Sequence, residues 1–202
     1  MTPASFWDGV AEHYAKSKIR NPEQYHLSLE RTRSYLRPED RVVELGCGTG
    51  STALLLAQNV ALYTGTDVSA KMIEIANGRL AGETVQNLDF IVSDSDSDAL
   101  GTSYDAVLAL NLLHLVDDLP ATLRRAHMIT RDGGLFISKT PCLGPKRWVF
   151  APLIRALKLF GKAPPIVRML TPEVLEQAIT DAGFEIIETG DYVSRYVVAR
   201  KS

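Results

Sequence analysis

"RVVELGCGTGST", Arg41 to Thr52, is the stretch on which the fold turns. Arg41 to Leu45 have the β-branched and apolar character of a short strand, three glycines follow at alternate positions, and helix formers come next. A strand that feeds a helix through Gly46, Gly48 and Gly50 needs backbone freedom in the turn. Three missing Cβ atoms also let a ligand lie against the main chain. Such glycines are a weak sign alone, because a tight turn without a ligand uses them too. Asp67 adds weight: it closes the next strand-like run, "LYTGTDVS", where doubly wound folds place an acid to hydrogen-bond a ribose diol.

Outward from the turn, the apolar period alternates between that of strands and that of helices. "STALLLAQNV" is predicted as a helix, "LYTGTDVS" as a strand, and "AKMIEIANGRLAG" as a helix with Ile73, Ala76 and Leu80 at helical spacing. "LDFIVSD" and "YDAVLAL" read as further strands, the second apolar enough to be buried on both faces. "LPATLRRAHMITRDGG" reads as a helix stopped by its glycine pair, and "LFISKTP" as the fifth strand. "TPEVLEQAITDAGF" is predicted as a helix with Thr171 as N-cap and Pro172 at the first helical position. "EIIETGDY" and "SRYVVARK" follow with almost no gap, so they must pair antiparallel, since a parallel pair needs a long crossover. Upstream, residues 1–40 read as a polar helical cap. "SFWDGVAEHYAKSK" has Ser5 as N-cap with Asp8 at capping-box spacing, and "PEQYHLSLERTRSYL" is ended by Pro38.

The 202 residues suffice for one domain with a sizeable core. With 46% hydrophobic and 23% charged residues the composition is that of an ordinary globular chain, and a formal charge of −2 gives no global attraction to nucleic acid or membrane. Cys47 and Cys142 stand in no metal-ligand spacing, which argues against a disulfide framework or a cysteine zinc site. "MTPASFWDGVAEHYAKS" has no long apolar run, so the expected location is the cytoplasm.

Two cofactors compete for the glycine turn. A dinucleotide site wants G-x-G-x-x-G with its pyrophosphate on the helix N-terminus. Here the spacing is E-x-G-x-G-x-G, with Glu44 in front and no arginine or lysine in the loop to meet a phosphate. The acid suits a ligand that is positively charged there, such as a sulfonium amino acid. "VVELGCGTG" resembles the first motif of the class I S-adenosylmethionine-dependent methyltransferases, "GTDVSAKMIEIA" the second, "FIVSDSDS" the third and "YDAVLALNLLHLVDD" the fourth, and "RDGGLFISKTP" resembles the usual entry into the fifth strand.

The resemblance covers most of residues 41–140. It implies an α/β fold: a Rossmann-like, doubly wound, seven-stranded, mostly parallel sheet with a reversed last strand. It implies one methyltransferase domain over 1–202, with the cap at 1–40, the cofactor core at 41–140 and the closing helix and strand pair at 171–202. It further implies S-adenosylmethionine as cofactor, leaving as S-adenosylhomocysteine, with no metal. The loop Glu44, Gly46, Cys47, Gly48 and Gly50 would hold the methionine portion, Asp67 the ribose, and Val68 and Met72 the adenine side. Asp94 would accept from the adenine amino group with Ser95 beside the ring, Asn111 would line the methionine end, and Tyr14 of the cap would approach the cofactor.

Other residues invite chemistry. Asp94, Asp96 and Asp98 alternate as in a calcium loop, but the sixth and twelfth positions, Ala99 and Asp105, lack the glycine and glutamate such a loop requires. His114 follows the fourth strand, where these sheets place ligands, and is the candidate general base and acceptor contact. Tyr25 is a further acceptor contact, and His13 and His26 are weaker candidates. Methyl transfer from a sulfonium asks mainly for alignment, so a base is needed only when the acceptor must lose a proton early. Asn111-Leu112-Leu113-His114 stands where the family's amine-modifying members carry N/D-P-P-Y/F, which argues against a nucleic-acid base as acceptor.

"GPKRWVFAPLIRALKLFGKAPPIVRML", residues 144–170, is longer than a plain connection and contains Lys146, Arg147, Arg155, Lys158, Lys162 and Arg168 with no acid. As a helix it is amphipathic, with Pro152 in its first turn or at a kink. One reading is a basic lid touching an anionic membrane or a lipid-like substrate. The favoured one is a helix that buries its apolar face on the domain and leaves its charges solvated. Either way the insert is expected to wall the acceptor pocket through Trp148 and Phe150. The expected activity is methyl transfer to a small-molecule or lipid-like acceptor. A non-catalytic S-adenosylmethionine-binding module and an NAD(P)-dependent oxidoreductase are the alternatives, and no reading of the sequence decides the oligomeric state.

Overall fold

The computed structural model describes residues 2–19, 21–95 and 100–202. Among these, fourteen helices and strands follow in the order α1 (Pro3–Lys16), α2 (Pro22–Arg33), β1 (Arg41–Leu45), α3 (Ser51–Leu56), β2 (Leu62–Asp67), α4 (Ala70–Leu80), β3 (Leu88–Val92), β4 (Tyr104–Leu110), α5 (Leu119–Ile129), β5 (Thr130–Thr140), α6 (Arg147–Leu159), α7 (Pro172–Asp181), β6 (Phe184–Asp191) and β7 (Arg195–Lys201). One seven-stranded sheet has the order β3-β2-β1-β4-β5-β7-β6. β1 to β5 pair in parallel, and β7 runs antiparallel to both β5 and β6. The predicted doubly wound sheet with a reversed last strand is therefore the architecture found.

Alternate residues of each strand serve opposite faces, as the two-residue pleat requires. Val43, Val107, Phe136 and Val197 pack with Leu123 and Ile129 of α5 and Leu175 and Ile179 of α7. Val42, Leu108, Ile137 and Val198 pack on the other face with Ala53 and Leu56 of α3 and Ile73 and Ala76 of α4. Each strand must be apolar on both sides, which is why β4 reads as a near-continuous apolar run.

Four local expectations change. α1 is capped by Thr2, whose Oγ1 accepts from Ser5 N–H, with the Ser5 side chain returning to the Thr2 backbone. Ser5 is thus the third residue of the capping box and not its start. Asp8 is free to make a tertiary contact instead. Its Oδ1 accepts from Ser69 Oγ at 2.6 Å and from Lys71 N–H at 3.0 Å, tying α1 to the start of α4. α2 ends at Arg33, before Pro38, where Ser34 Oγ turns back to the Arg31 carbonyl. α5 ends at Ile129 and its glycine pair lies inside β5. Thr130 Oγ1 closes the helix on the Ala126 carbonyl, and the register between β4 and β5 shifts after Tyr104–Thr130. Gly134 sits in that irregularity because a Cβ there would lie 2.8 Å from the Arg131 carbonyl oxygen and 3.0 Å from that of Asp105.

The fourth concerns residues 144–170. A short 3-10 turn, Gly144–Lys146, leads into α6, and Pro152 lies beyond its first turn, where it leaves the Trp148 carbonyl without its helical donor. No residue of α6 is buried. The expected burial of its apolar face on the domain is not found: only Phe150, Ile154 and Leu157 are half-covered.

Candidate active site

At the C-terminal ends of β1, β2 and β4, beside the point where strand order reverses, opens a cavity of about 900 Å³. That is near the upper end of the roughly 300–1,000 Å³ usual for ligand sites, with room for more than one small molecule. The glycine turn forms its floor. Gly46, Gly48 and Gly50 have φ of 69°, 55° and 76°, a region that side chains rarely adopt. They answer to different neighbours. A Cβ on Gly46 would lie 2.7 Å from Leu112 Cδ1, and one on Gly50 would lie 2.6 Å from Phe90 Cζ. On Gly48 it would meet only Tyr14 Cε1, at 3.8 Å. Gly46 and Gly48 line the cavity and Gly50 does not. The third glycine makes room for the Phe90 ring.

The acids stand around this floor. Glu44 is buried, accepts from Tyr63 Oη at 2.8 Å, and is pushed by burial up to a pKa of about 7. Asp67 takes Gly48 N–H on one oxygen and Ser69 N–H on the other, both at 2.9 Å, which fixes its carboxylate while leaving each oxygen a free lone pair. Burial raises its pKa against those hydrogen bonds. Cys47, Val68, Met72, Asp94 and Ser95 line the same space. Asn111 lines it from a left-handed backbone, φ 64°, held by its N–H on the Lys139 carbonyl at 2.7 Å.

The helical cap closes over the cavity with Tyr14 and Tyr25, and Tyr25 Oη lies 3.1 Å from Thr52 Oγ1. On this side stands Lys139, at the end of β5. Its Nζ donates to Ser28 Oγ at 2.7 Å and lies 6.0 Å from the centre of the Tyr25 ring. Among the described residues no carboxylate pairs with it, and burial lowers its pKa.

Three expected residues lie elsewhere. His114 is not in the cavity wall: its Nδ1 is buried with no hydrogen-bond partner among the described residues, and burial pushes its pKa down to about 4. Its carbonyl receives Arg168 N–H at 2.7 Å, and neighbouring Leu113 is buried in the core. Trp148 and Phe150 do not reach the cavity either, since α6 stands clear of it and Trp148 points to solvent. His13 and His26 are exposed. Asp96, Asp98 and Ala99 lie outside the described residues. Among the described residues no group of three His, Cys, Asp or Glu side chains is placed to hold a metal ion.

The sequence and the fold that build this cavity have known counterparts. A family described as methyltransferase domain matches residues 13–189. The chain belongs to the class I S-adenosylmethionine-dependent methyltransferases. A ubiquinone biosynthesis O-methyltransferase of Saccharophagus degradans is 28% identical over 191 residues, which are 92% of this chain and 78% of the relative. A hybrid PKS-NRPS synthetase of Macrophomina phaseolina is 32% identical over 157 residues, 71% of this chain but only 4% of that much longer protein. Geranyl diphosphate C-methyltransferase of Streptomyces coelicolor A3(2), solved with Mg2+, geranyl diphosphate and S-adenosyl-L-homocysteine, shares the fold. Its TM-score is 0.73 at 12% identity, over 88% of this chain and 79% of that one.

Membership in this family sets the dinucleotide-dependent oxidoreductase aside. In this methyltransferase several cavity residues carry no motif. Arg79 donates to the Thr49 carbonyl at 3.0 Å and to the Ala15 carbonyl at 3.0 Å, clamping the glycine loop to the end of α1. Ser28, Leu29 and Lys139 come from α2 and β5, and Tyr192, Val193 and Ser194 from the turn between β6 and β7. Only the register Leu110↔Lys139 brings Lys139 level with the end of β4.

Proposed function

We propose that the cavity holds S-adenosylmethionine against Glu44, Gly46, Cys47, Gly48 and Asn111 at the methionine end and Asp67, Val68, Met72, Asp94 and Ser95 at the nucleoside end, with Tyr14 above. When bound, the cofactor supplies a methyl group on a sulfonium that is already a good leaving group. The fit rests on this chain's own features: an open floor at Gly48, a carboxylate with free lone pairs at Asp67, and a buried acid at Glu44. Gly50 supports the floor through Phe90.

The remaining space, lined by Tyr25, Ser28, Leu29, Leu110, Lys139 and Tyr192, takes the acceptor, a small or lipid-like molecule with an anionic or phenolic end. The observation that carries this reading is the Lys139 ammonium, half-buried at the cavity wall with no carboxylate partner among the described residues. An unpaired, partly desolvated cation gains most from an oxyanion ligand. Ser28 and Tyr25 orient it, the cap excludes water, and what the chain contributes is alignment. His114, neutral at pH 7 and outside the cavity lining, has no part in this reading.

The test is calorimetric titration with S-adenosylhomocysteine and NAD, followed by release of S-adenosylhomocysteine in the presence of phenolic and carboxylic acids with apolar tails. Lys139→Met should leave S-adenosylhomocysteine affinity intact and raise the acceptor KM at least about tenfold. Equal KM values would sink the acceptor assignment. Cofactor binding without turnover on any acceptor would favour the non-catalytic module.

A further inference from the structure

Wound at 3.6 residues per turn, α6 divides into sectors. Phe150, Ile154 and Leu157 face the domain. Val149, Leu153 and Phe160 lie to one side of that stripe, and Trp148, Pro152 and Leu159 point outward. Arg147, Arg155 and Lys158 complete the circle, and Lys162 follows just beyond the helix end. The outward and lateral apolar groups are open to solvent: Trp148 is 79% exposed, Leu159 82% and Phe160 75%. Scattered apolar residues on a surface need no explanation, but a contiguous set on one short helix does. Among the described residues none of the cations on this helix is in an ion pair.

We propose that α6 is a docking surface for an anionic lipid bilayer, with Trp148, Leu159 and Phe160 entering the interface and Lys146, Arg147, Arg155 and Lys162 meeting lipid phosphates. Charge complementarity selects this occupant. Residues 144–170 carry six cations and no acid, while the rest of the chain has sixteen basic against 24 acidic residues. The same bilayer that attracts the insert repels the body, so the molecule lands in one orientation. An exposed tryptophan beside arginine and lysine is the residue pairing that settles at the level of lipid headgroups. The helix lies on the membrane and does not span it: among the described residues no helix is long and apolar enough to cross. Arg168, at the end of the insert, bonds through Nε to the Val116 carbonyl and through its other nitrogen to that of Asp117, and both residues line the cavity. The docking helix is thus joined to the cavity wall through the end of its own insert. The inference does not depend on the acceptor assignment.

The experiment is co-sedimentation of the full chain with phosphatidylcholine vesicles, with and without phosphatidylglycerol. Trp148 fluorescence is read in a Trp7→Phe background. The expected result is binding to the phosphatidylglycerol vesicles only, with a blue shift of Trp148 emission. Arg147→Glu with Lys162→Glu, and separately Trp148→Ser with Leu159→Ser and Phe160→Ser, should each weaken binding at least about tenfold. These positions are exposed, so circular dichroism and S-adenosylhomocysteine affinity should be unchanged. No binding, equal binding to uncharged vesicles, or binding insensitive to either set of substitutions would overturn the proposal. So would a stable dimer in light scattering that the triple substitution dissolves, because a second copy would then be what covers the helix.

Discussion

Glu44 combines burial, a hydrogen bond from Tyr63 and a pKa near neutrality, so it is poised to change protonation when a charge arrives. The amino group of the methionine portion, placed beside it on the proposed reading, lowers that pKa again. Binding of S-adenosylhomocysteine near pH 7 should therefore release part of a proton. Calorimetry in buffers of different ionisation heat reads this directly, and a binding heat independent of buffer would remove Glu44 from the methionine end. Asp67 is the second residue to test. Asp67→Ala deletes a carboxylate that lines the cavity, and on the proposed reading two charge-assisted hydrogen bonds to the ribose, of about 1.5–3 kcal/mol each, are at stake. Their loss is partly offset by water, so S-adenosylhomocysteine affinity should fall roughly 10- to 100-fold. A smaller change would mean that the ribose is held elsewhere.

At the scale of elements, the turn between β1 and α3 is both a ligand floor and a packing device, and Gly50 separates the two roles. Gly50→Ala places a methyl 2.6 Å from Phe90 and a side chain at φ 76°. The expected loss is about 2 kcal/mol or more in urea unfolding. Phe90→Leu in the same chain should recover the steric part and leave the backbone part, about 1 kcal/mol. Full additivity of the two substitutions would disprove the contact. The junction of α1 with α4 makes a parallel case. Asp8 holds Ser69 and Lys71 at the start of the helix that follows the Asp67 turn. Asp8→Ala should speed amide hydrogen exchange through α1 and leave exchange in β4 unchanged. Protection unaltered in α1 would show that the Arg79 clamp suffices.

At the scale of the whole molecule, two buried groups pull stability in opposite directions with pH. Glu44 rises from 4.5 to about 7 on folding, so the folded state binds more protons in that window and stability falls as pH rises through it. His114 drops from 6.5 to about 4, so the unfolded state binds more protons there and stability rises with pH. The two largely cancel between the acidic limit and neutrality. Glu44→Gln keeps an acceptor for Tyr63 and removes only the first effect. Relative to the native chain, it should gain about 3 kcal/mol between pH 4.5 and pH 7, measured as the difference in urea unfolding. A difference that does not vary with pH would refute the raised pKa.

What could be read from the sequence follows the range of the interactions involved. The glycine turn, the acid ending β2, the strand count and the reversed β7 depend on neighbours within a few residues or on connection length, and all were legible. The glycine pair of β5 was not, because pairing with β4 overrides its local meaning as a helix stop. Lys139 reaches the cavity only through strand register, Asp8 finds its partners at the start of α4, and the segment around His114 is held by Arg168, more than fifty residues away. The bare apolar face of α6 was not legible either, since amphipathicity says where such a face is and leaves open what covers it.

The cavity wall opposite the glycine turn is built from the two ends of the chain: α1 and α2 at one, the β6–β7 turn at the other. On the proposed reading the donor-facing residues lie between them, from Glu44 to Asn111, with Tyr14 of α1 above. Most of the acceptor side thus comes from the two ends, and Leu110 and Lys139 join it from β4 and β5. On the same reading, a chimaera that keeps residues 41–140 keeps Lys139 and the donor loop but exchanges Tyr14, Tyr25, Ser28 and the β6–β7 turn, so it should retain the demand for an anionic or phenolic end while the shape of acceptor it admits follows the imported ends.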